Sequence, residues 1–253
     1  MNWYKILTLF IVIASCSDNV LTKQVTMKNM KSINDRNSAK EYYLQKKILG
    51  RVQFDKNDYL YVFDCAGMDS VTDDDIQYII FFPEIKAIHL SGKKITDKSI
   101  FYFKNLKKLR SIYLYDTNIT GKGFIYLKEI KRLGGFVFDG STISDIGLMY
   151  LSEIQYEEEV ENLNLRNTKI TDEGMKYIAK MKIGKAYISL FNTKVTDEGI
   201  KYLAGFKELK EIDLRETKVT DKGGKRLQEQ LPNTEIYWGK YIPDTPTGMD
   251  EEE

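Results

Sequence analysis

The residue types suited to nucleophilic or metal chemistry are sparse in this chain of 253 residues: one histidine, His89, two cysteines, Cys16 and Cys65, and an aspartate run at 73–75. A nucleophilic triad needs a base beside an activated hydroxyl or thiol. No G-x-S-x-G elbow is present, and Cys65 falls in an alternating apolar run that gives it a core position. His89 is therefore expected to be an ordinary exposed residue. Structural zinc needs several nitrogen or sulfur ligands, which one His and two distant Cys do not supply. The run Asp73-Asp74-Asp75 lacks EF-hand spacing and follows Val71-Thr72 as Asp97 follows Ile95-Thr96, the pattern of an acidic first helical turn. Glycine pairs at 134–135 and 223–224 lack the Lys-Ser/Thr of a phosphate loop. No catalytic residue, metal or cofactor is predicted, and the chain is expected not to be an enzyme.

Recognition chemistry remains. Tyr, Phe and Arg bury large areas at modest entropic cost or make forked hydrogen bonds, and so dominate binding hot spots. Tyr113, Tyr115, Arg166, Tyr187, Phe191 and Arg215 are candidates because they occupy related places in a repeated unit. The unit is plainest in Leu163-Asn164-Leu165-Arg166-Asn167-Thr168-Lys169-Ile170-Thr171-Asp172. Paired apolar residues recur at Phe63/Cys65, Ile88/Leu90, Ile112/Leu114, Phe136/Phe138, Leu163/Leu165, Ile188/Leu190, Ile212/Leu214 and Ile236/Trp238. Their offsets are 25, 24, 24, 27, 25, 24 and 24 residues. An apolar residue three positions earlier, as at Leu109, Leu133, Val160 and Leu209, completes an L-x-x-L-x-L pattern.

Each unit reads as strand, turn, helix and return. Side chains alternate along a strand, so the paired apolar residues point inward and stack on the next unit, while the residues between and after them face out. The outward columns are His89, Tyr113, Val137, Asn164, Ser189, Asp213 and Ser91, Tyr115, Asp139, Arg166, Phe191, Arg215, with Tyr187 on the same face. A hydroxyl follows at Thr117, Ser141, Thr168, Thr193 and Thr217, where it can bond the backbone of the bend. Thr or Ser then caps a helix whose first residue is an acid, as in Ile170-Thr171-Asp172 and Val195-Thr196-Asp197. Two departures stand out: Gly121 replaces the acid, and Glu157-Glu158-Glu159 coincides with the 27-residue spacing, where a bulge at a helix-to-strand return is expected.

The form T-x-I-T-D-x-G, seen in Thr168 to Gly174 and Thr193 to Gly199, resembles the cysteine-containing class of leucine-rich repeats. Thr often stands for the named cysteine in the bacterial members of that class, which is otherwise familiar from F-box substrate adaptors. The resemblance covers about residues 38–240. It implies an α/β solenoid with a curved parallel sheet on the concave side and helices on the convex side. It also implies a scaffold that holds a macromolecular partner.

The flanks complete the organisation. Lys5 precedes the apolar run Ile6 to Ala14, too short for a membrane span of about 20 residues. The run ends in Ile13-Ala14-Ser15-Cys16, which resembles a bacterial lipobox. The resemblance implies that residues 1–15 are a signal peptide and Cys16 the lipidation site, and residues 16–37 are expected to form a polar tether. By resemblance to lipoprotein sorting in Gram-negative bacteria, Ser17 after the cysteine implies the outer membrane within the bacterial envelope. Residues 38–62 read as a cap: a helix started by Ser38 with Glu41 three residues on and ended at Gly50, then a β-hairpin. The repeats and closing strand occupy 63–240, with Trp238 and Tyr241 expected to cover the last edge, and 241–253 form a disordered acidic tail.

Charge narrows the partner class. The chain has 38 Lys+Arg against 37 Asp+Glu, and 37 against 37 once the segment holding Lys5 is removed. A phosphate backbone demands a large basic excess, so nucleic acid is not expected. The reading is a monomeric, lipid-anchored protein that binds another protein, or alternatively a glycan, on its concave face. The alternative is an intracellular or secreted adaptor of the F-box type, presenting substrates to a ubiquitin ligase; residues 17–58 hold no evident F-box-like bundle.

Overall fold

A computed structural model describes residues 36–45, 53–54 and 60–241. Residues 1–35, where a signal peptide, the Cys16 lipidation site and a tether are expected, and residues 242–253, expected as a tail, lie outside the described residues. Helix α1 (Arg36–Gln45) comes first, followed by strands β1 (Gln53–Phe54) and β2 (Leu60–Asp64). Strand β1 pairs antiparallel with β2, and every later pairing is parallel. The later strands are β3 (Ala87–Ser91), β4 (Ser111–Tyr115), β5 (Gly135–Val137), β6 (Val160–Asn164), β7 (Ile183–Ser189), β8 (Glu211–Asp213) and β9 (Glu235–Tyr237). They lie side by side in chain order in one open sheet.

The register is the one that the apolar pairs require. Phe63, Ile88, Ile112, Phe136, Leu163, Ile188, Ile212 and Ile236 pair successively across the sheet. All eight are buried, so one apolar column runs the length of the molecule. Such a column carries the core because no single unit can bury its own face. Strand Val160–Asn164 slips in register between Val160 and Asn162, at the unit with the longest spacing. There Glu158 of the return ion-pairs with Arg110 and, at 3.0 Å, with Arg132, tying the return to two earlier units.

Helical segments cover the other side. They are α2 (Asp73–Ile76), continued as a 3₁₀ turn to Phe81, α3 (Asp97–Phe101), a 3₁₀ helix at Lys122–Leu127, α4 (Asp145–Ser152), α5 (Asp172–Ile178), α6 (Asp197–Ile200), continued to Gly205, and α7 (Asp221–Gln230). Each of the α-helices from α2 to α7 follows a Thr or Ser N-cap with extended backbone. The acid after the cap does more than meet the helix dipole. Asp172 accepts the Thr196 N–H at 2.8 Å and the Thr196 hydroxyl at 2.7 Å, both from the next unit. Asp145 binds Thr171, and Asp197 binds Thr220, in the same way.

The motif glycine makes room for that carboxylate. A Cβ on Gly174, Gly199 or Gly223 would stand 2.4, 2.3 or 2.1 Å from the previous unit's aspartate oxygen. Where Ser99 takes the glycine's place, its hydroxyl donates to Asp73 at 2.6 Å instead. Hydroxyls at the bend hold the strand ends: Thr168 donates to the Leu165 carbonyl at 2.6 Å and Thr193 to that of Leu190 at 2.7 Å.

Two expectations about the ends need correction. Helix α1 begins at Arg36, so Ser38 lies inside it and is not its cap. Placing Ala39 and Tyr43 four residues apart on one face buries both, with Tyr43 against Phe63 at 5.1 Å between ring centroids. The Tyr42 hydroxyl donates to Asp75 at 2.6 Å, docking the helix on the first unit. At the other end Trp238 packs on the core beside Gly224, where a Cβ would come within 2.4 Å of the indole. Tyr241 is not part of that closure; it turns to the strand face.

Candidate functional site

The sheet presents its outward columns as one surface. Register places Asp64, His89, Tyr113, Val137, Asn164, Ser189, Asp213 and Tyr237 in a row across successive strands. Beside it run Ser91, Tyr115, Asp139, Arg166, Phe191 and Arg215. The chain leaves these strands through a left-handed residue in unit after unit, with φ of +97° at Gly92, +53° at Asp116, +55° at Asn167 and +52° at Asn192. That conformation is open to Gly and tolerated by Asn and Asp, which explains the residue types there. Side chains link along that row and across from it: Asn192 donates to Asn167 at 2.9 Å, and Asn167 to Asp139 of the neighbouring row at 2.8 Å.

Six residues were candidates for binding, and they fall into two groups. At one end Tyr113 packs on His89, with centroids 4.2 Å apart, and Tyr115 lies beside it. His89 is not the ordinary exposed residue expected from sequence: its side chain is 28% exposed and Nδ1 stands 3.6 Å from Asp64. Burial lowers its pKa, against the pull of the Asp64 carboxylate. Val137, counted in the outward column, is in fact buried. Close by, Ala66, Gly67, Ser91, Lys94, Tyr115 and Asp116 line part of an open cleft of 590 Å³.

The second group is tighter. The Arg166 guanidinium lies 4.1 Å from the centre of the Phe191 ring, and stands 3.6 Å from Asp139 and 3.7 Å from Asp213. Arg215 grips the same Asp213 with Nε at 2.9 Å and Nη2 at 3.0 Å. The hydrogen bond and charge of Asp213 raise the Arg215 pKa. Tyr237 and Tyr241 lie 5.2 and 5.1 Å from the Arg215 guanidinium, and Tyr241 meets Phe191 edge-on at 6.0 Å. Beneath them the Ser189 hydroxyl is buried with no hydrogen-bond partner among the described residues. Tyr187 stands one column away, 48% exposed, with the Lys210 ammonium 5.2 Å from its ring.

Sequence reasoning missed Asp213 as the shared anchor and Tyr237 and Tyr241 as members. Tyr237 was within reach, since continuing the His89–Asp213 column by one more unit lands on it. Tyr241 carried no such signal because it follows the last strand. The ensemble offers exposed rings and two guanidiniums already oriented by carboxylates. A partner therefore meets fixed flat surfaces and pays little entropy to order them.

A leucine-rich repeat family matches residues 160–179, which hold strand β6 and the whole of helix α5. The fold is a leucine-rich repeat solenoid. A plant ice-binding protein is similar over 81% of this chain and 78% of its own, with a TM-score of 0.51 and 14% identity. An internalin from Listeria monocytogenes is similar over 66% of this chain and 51% of its own, with a TM-score of 0.46 and 16% identity. No curated protein matches the chain. Within a leucine-rich repeat solenoid of this kind, the free positions of the strand face are the ones that differ from unit to unit, and Arg166, Phe191 and Arg215 are three of them.

Proposed function

We propose that this chain is a non-enzymatic scaffold that binds another protein through the carboxy-terminal half of its concave face. The observation that carries the reading is the Arg166–Phe191–Arg215–Tyr241 cluster, in which hot-spot residue types are held rigid by Asp139 and Asp213. Fixed aromatic and guanidinium groups on an open strand face, with the amides of Asn167 and Asn192 nearby, match the anatomy of protein interfaces better than that of a small-molecule pocket. A glycan is the other occupant that such rings accept. The scaffold is tethered to the bacterial envelope, with the outer membrane favoured, through a lipid on Cys16; the order of Lys5, apolar run and small residues before that cysteine supports this.

The name of the ice-binding neighbour adds nothing to this reading. The regular hydroxyls of the present chain, Thr117, Ser141, Thr168 and Thr193, are buried and bonded to one another or to carbonyls.

The partner is to be captured by cross-linking in envelope preparations and its affinity measured against Phe191→Ala and Arg215→Ala. Each is expected to weaken binding by about tenfold or more; Phe191→Ala should leave the melting temperature nearly unchanged, while Arg215→Ala also leaves the buried Asp213 carboxylate with only the more distant Arg166 and should lower it. Unchanged affinity in both would remove the concave-face reading. Metabolic lipid labelling of Cys16→Ala tests the anchor: label and membrane association are expected to disappear, and their retention would rule Cys16 out.

A further inference from the structure

The near-neutral total charge hides a steep local imbalance. Between residues 93 and 135 there are eleven Lys and Arg against three acids, Asp97, Asp116 and Glu129. Asp97 is consumed inside the fold, accepting from Thr120, Gly121 and Gly123. Three acids beside the segment are also engaged, Asp74 with Lys98, Glu84 with Lys108, and Glu158 with Arg110 and Arg132, which leaves Glu129 as the remaining acid within it that no described cation pairs. Lys104, Lys107, Lys122, Lys128 and Lys131 make no ion pair among the described residues.

The same two units expose apolar side chains on the helix layer, opposite the strand face. Phe101 on α3 is 40% exposed, and Ile125 and Tyr126 on the adjacent 3₁₀ helix are 50% and 44% exposed. Phe101 meets Tyr126 edge-on at 5.1 Å, and the Lys104 ammonium sits 3.7 Å over the Phe101 ring. Ile80 and Ile146, on the helical segments to either side, extend the apolar strip. An aromatic and aliphatic centre rimmed by long-stemmed cations is the composition of a surface that rests in the headgroup region of a bilayer, where rings and aliphatic groups enter the acyl boundary and lysines stay with the phosphates.

We propose that this basic, aromatic patch on the convex face, centred on Phe101, Ile125 and Tyr126, docks on an anionic phospholipid surface. Charge selects the occupant: the unspent lysines need a dense array of anions, and an anionic leaflet provides one. The aliphatic part of the patch favours lipid over nucleic acid, because Ile80 and Ile125 offer no flat face for a base to stack on. The proposal stands apart from the Cys16 anchor and from the concave face. Docking through the convex side would leave the concave cluster pointing away from the bilayer.

The test uses the full chain carrying Cys16→Ala, so that no acyl chain contributes, and vesicles of phosphatidylcholine with or without phosphatidylglycerol. Binding is expected only with phosphatidylglycerol, falling as salt rises, and weakened about tenfold or more by the combined change of Lys104, Lys107 and Lys128 to Gln. Adding Phe101→Trp should give a blue-shifted emission on the anionic vesicles, read against the common background of Trp3 and Trp238. Equal binding to both vesicle types, or full binding by the triple Gln variant with an unaltered melting curve, would overturn the proposal. So would lysine-dependent binding to duplex DNA with no emission change on vesicles, which would assign the patch to nucleic acid.

Discussion

At the scale of single residues, the aspartate and glycine of the T-D-x-G motif form one device shared between successive units. Asp172 gives both carboxylate oxygens to Thr196 of the next unit, and Gly199 leaves the space in which that carboxylate sits. Asp172→Ala strands a part-buried N–H and hydroxyl and should cost about 1–3 kcal/mol in chemical denaturation. Gly199→Ala drives a methyl to within 2.3 Å of an Asp172 oxygen and should cost a comparable amount. The double variant should lose clearly less than the sum, since without the Asp172 carboxylate the new methyl no longer meets it; strict additivity would refute the shared device. At Asp197 burial alone would raise the carboxyl pKa, but the Thr220 hydroxyl and N–H hold it below the ordinary value. That contribution is therefore fully present above the unfolded carboxyl pKa of about 4 and is lost as pH falls through the lowered folded value. The sequence displays all these residue types, yet their roles as cross-links could not be read from it. The partners lie 23 to 26 residues apart and meet only once neighbouring units are stacked.

At the scale of elements, the strands were legible and the helical layer only partly so. Every apolar pair from Phe63/Cys65 to Ile212/Leu214 is buried, because period-two alternation in a sheet leaves no second way to hide both residues. The helical segments are short and shift between α and 3₁₀ geometry, so propensity decides little and contact with the neighbouring unit decides most. Gly121 is the clearest case. It looks like a motif lapse, but it has φ +93°, and a Cβ there would meet the Gly147 Cα at 2.4 Å. Ser144 compensates for the missing carboxylate by donating its N–H to the Thr120 carbonyl at 3.2 Å. Restoring the motif with Gly121→Asp is thus expected to destabilise the protein by about 2 kcal/mol or more, against what repeat consensus suggests. A raised melting temperature in that variant would show that the close approach of the 3₁₀ helix to α4 can relax. The start of α1 was misplaced for a related reason: Ser38 and Glu41 imitate a capping box, while burial of Ala39 and Tyr43 against the first unit decides where the helix lies.

At the scale of the whole molecule, a solenoid is nearly one-dimensional: each unit is stabilised by its two neighbours, and the end units have only one. The amino-terminal end is closed by α1, with Tyr43 buried among Phe63, Tyr78 and Phe82. Among the described residues the carboxy-terminal end relies on less, chiefly the short strand β9 and Trp238 lying on Gly224 of α7. The Arg215–Tyr237–Tyr241 part of the concave cluster is built on that same last unit, so the candidate site shares the stability of the end cap. Trp238→Ala should therefore act locally before it acts globally. Amide hydrogen exchange is expected to quicken first in β9, α7 and β8, while strands β3 to β6 keep their protection, and affinity for a concave-face partner should fall although Trp238 faces the other way. The size of the effect follows from the loss of one partly buried indole, about 2–3 kcal/mol within the terminal unit. Uniform loss of protection along the sheet would mean that the solenoid opens as a single cooperative block, and would separate the binding site from the fate of its last strand.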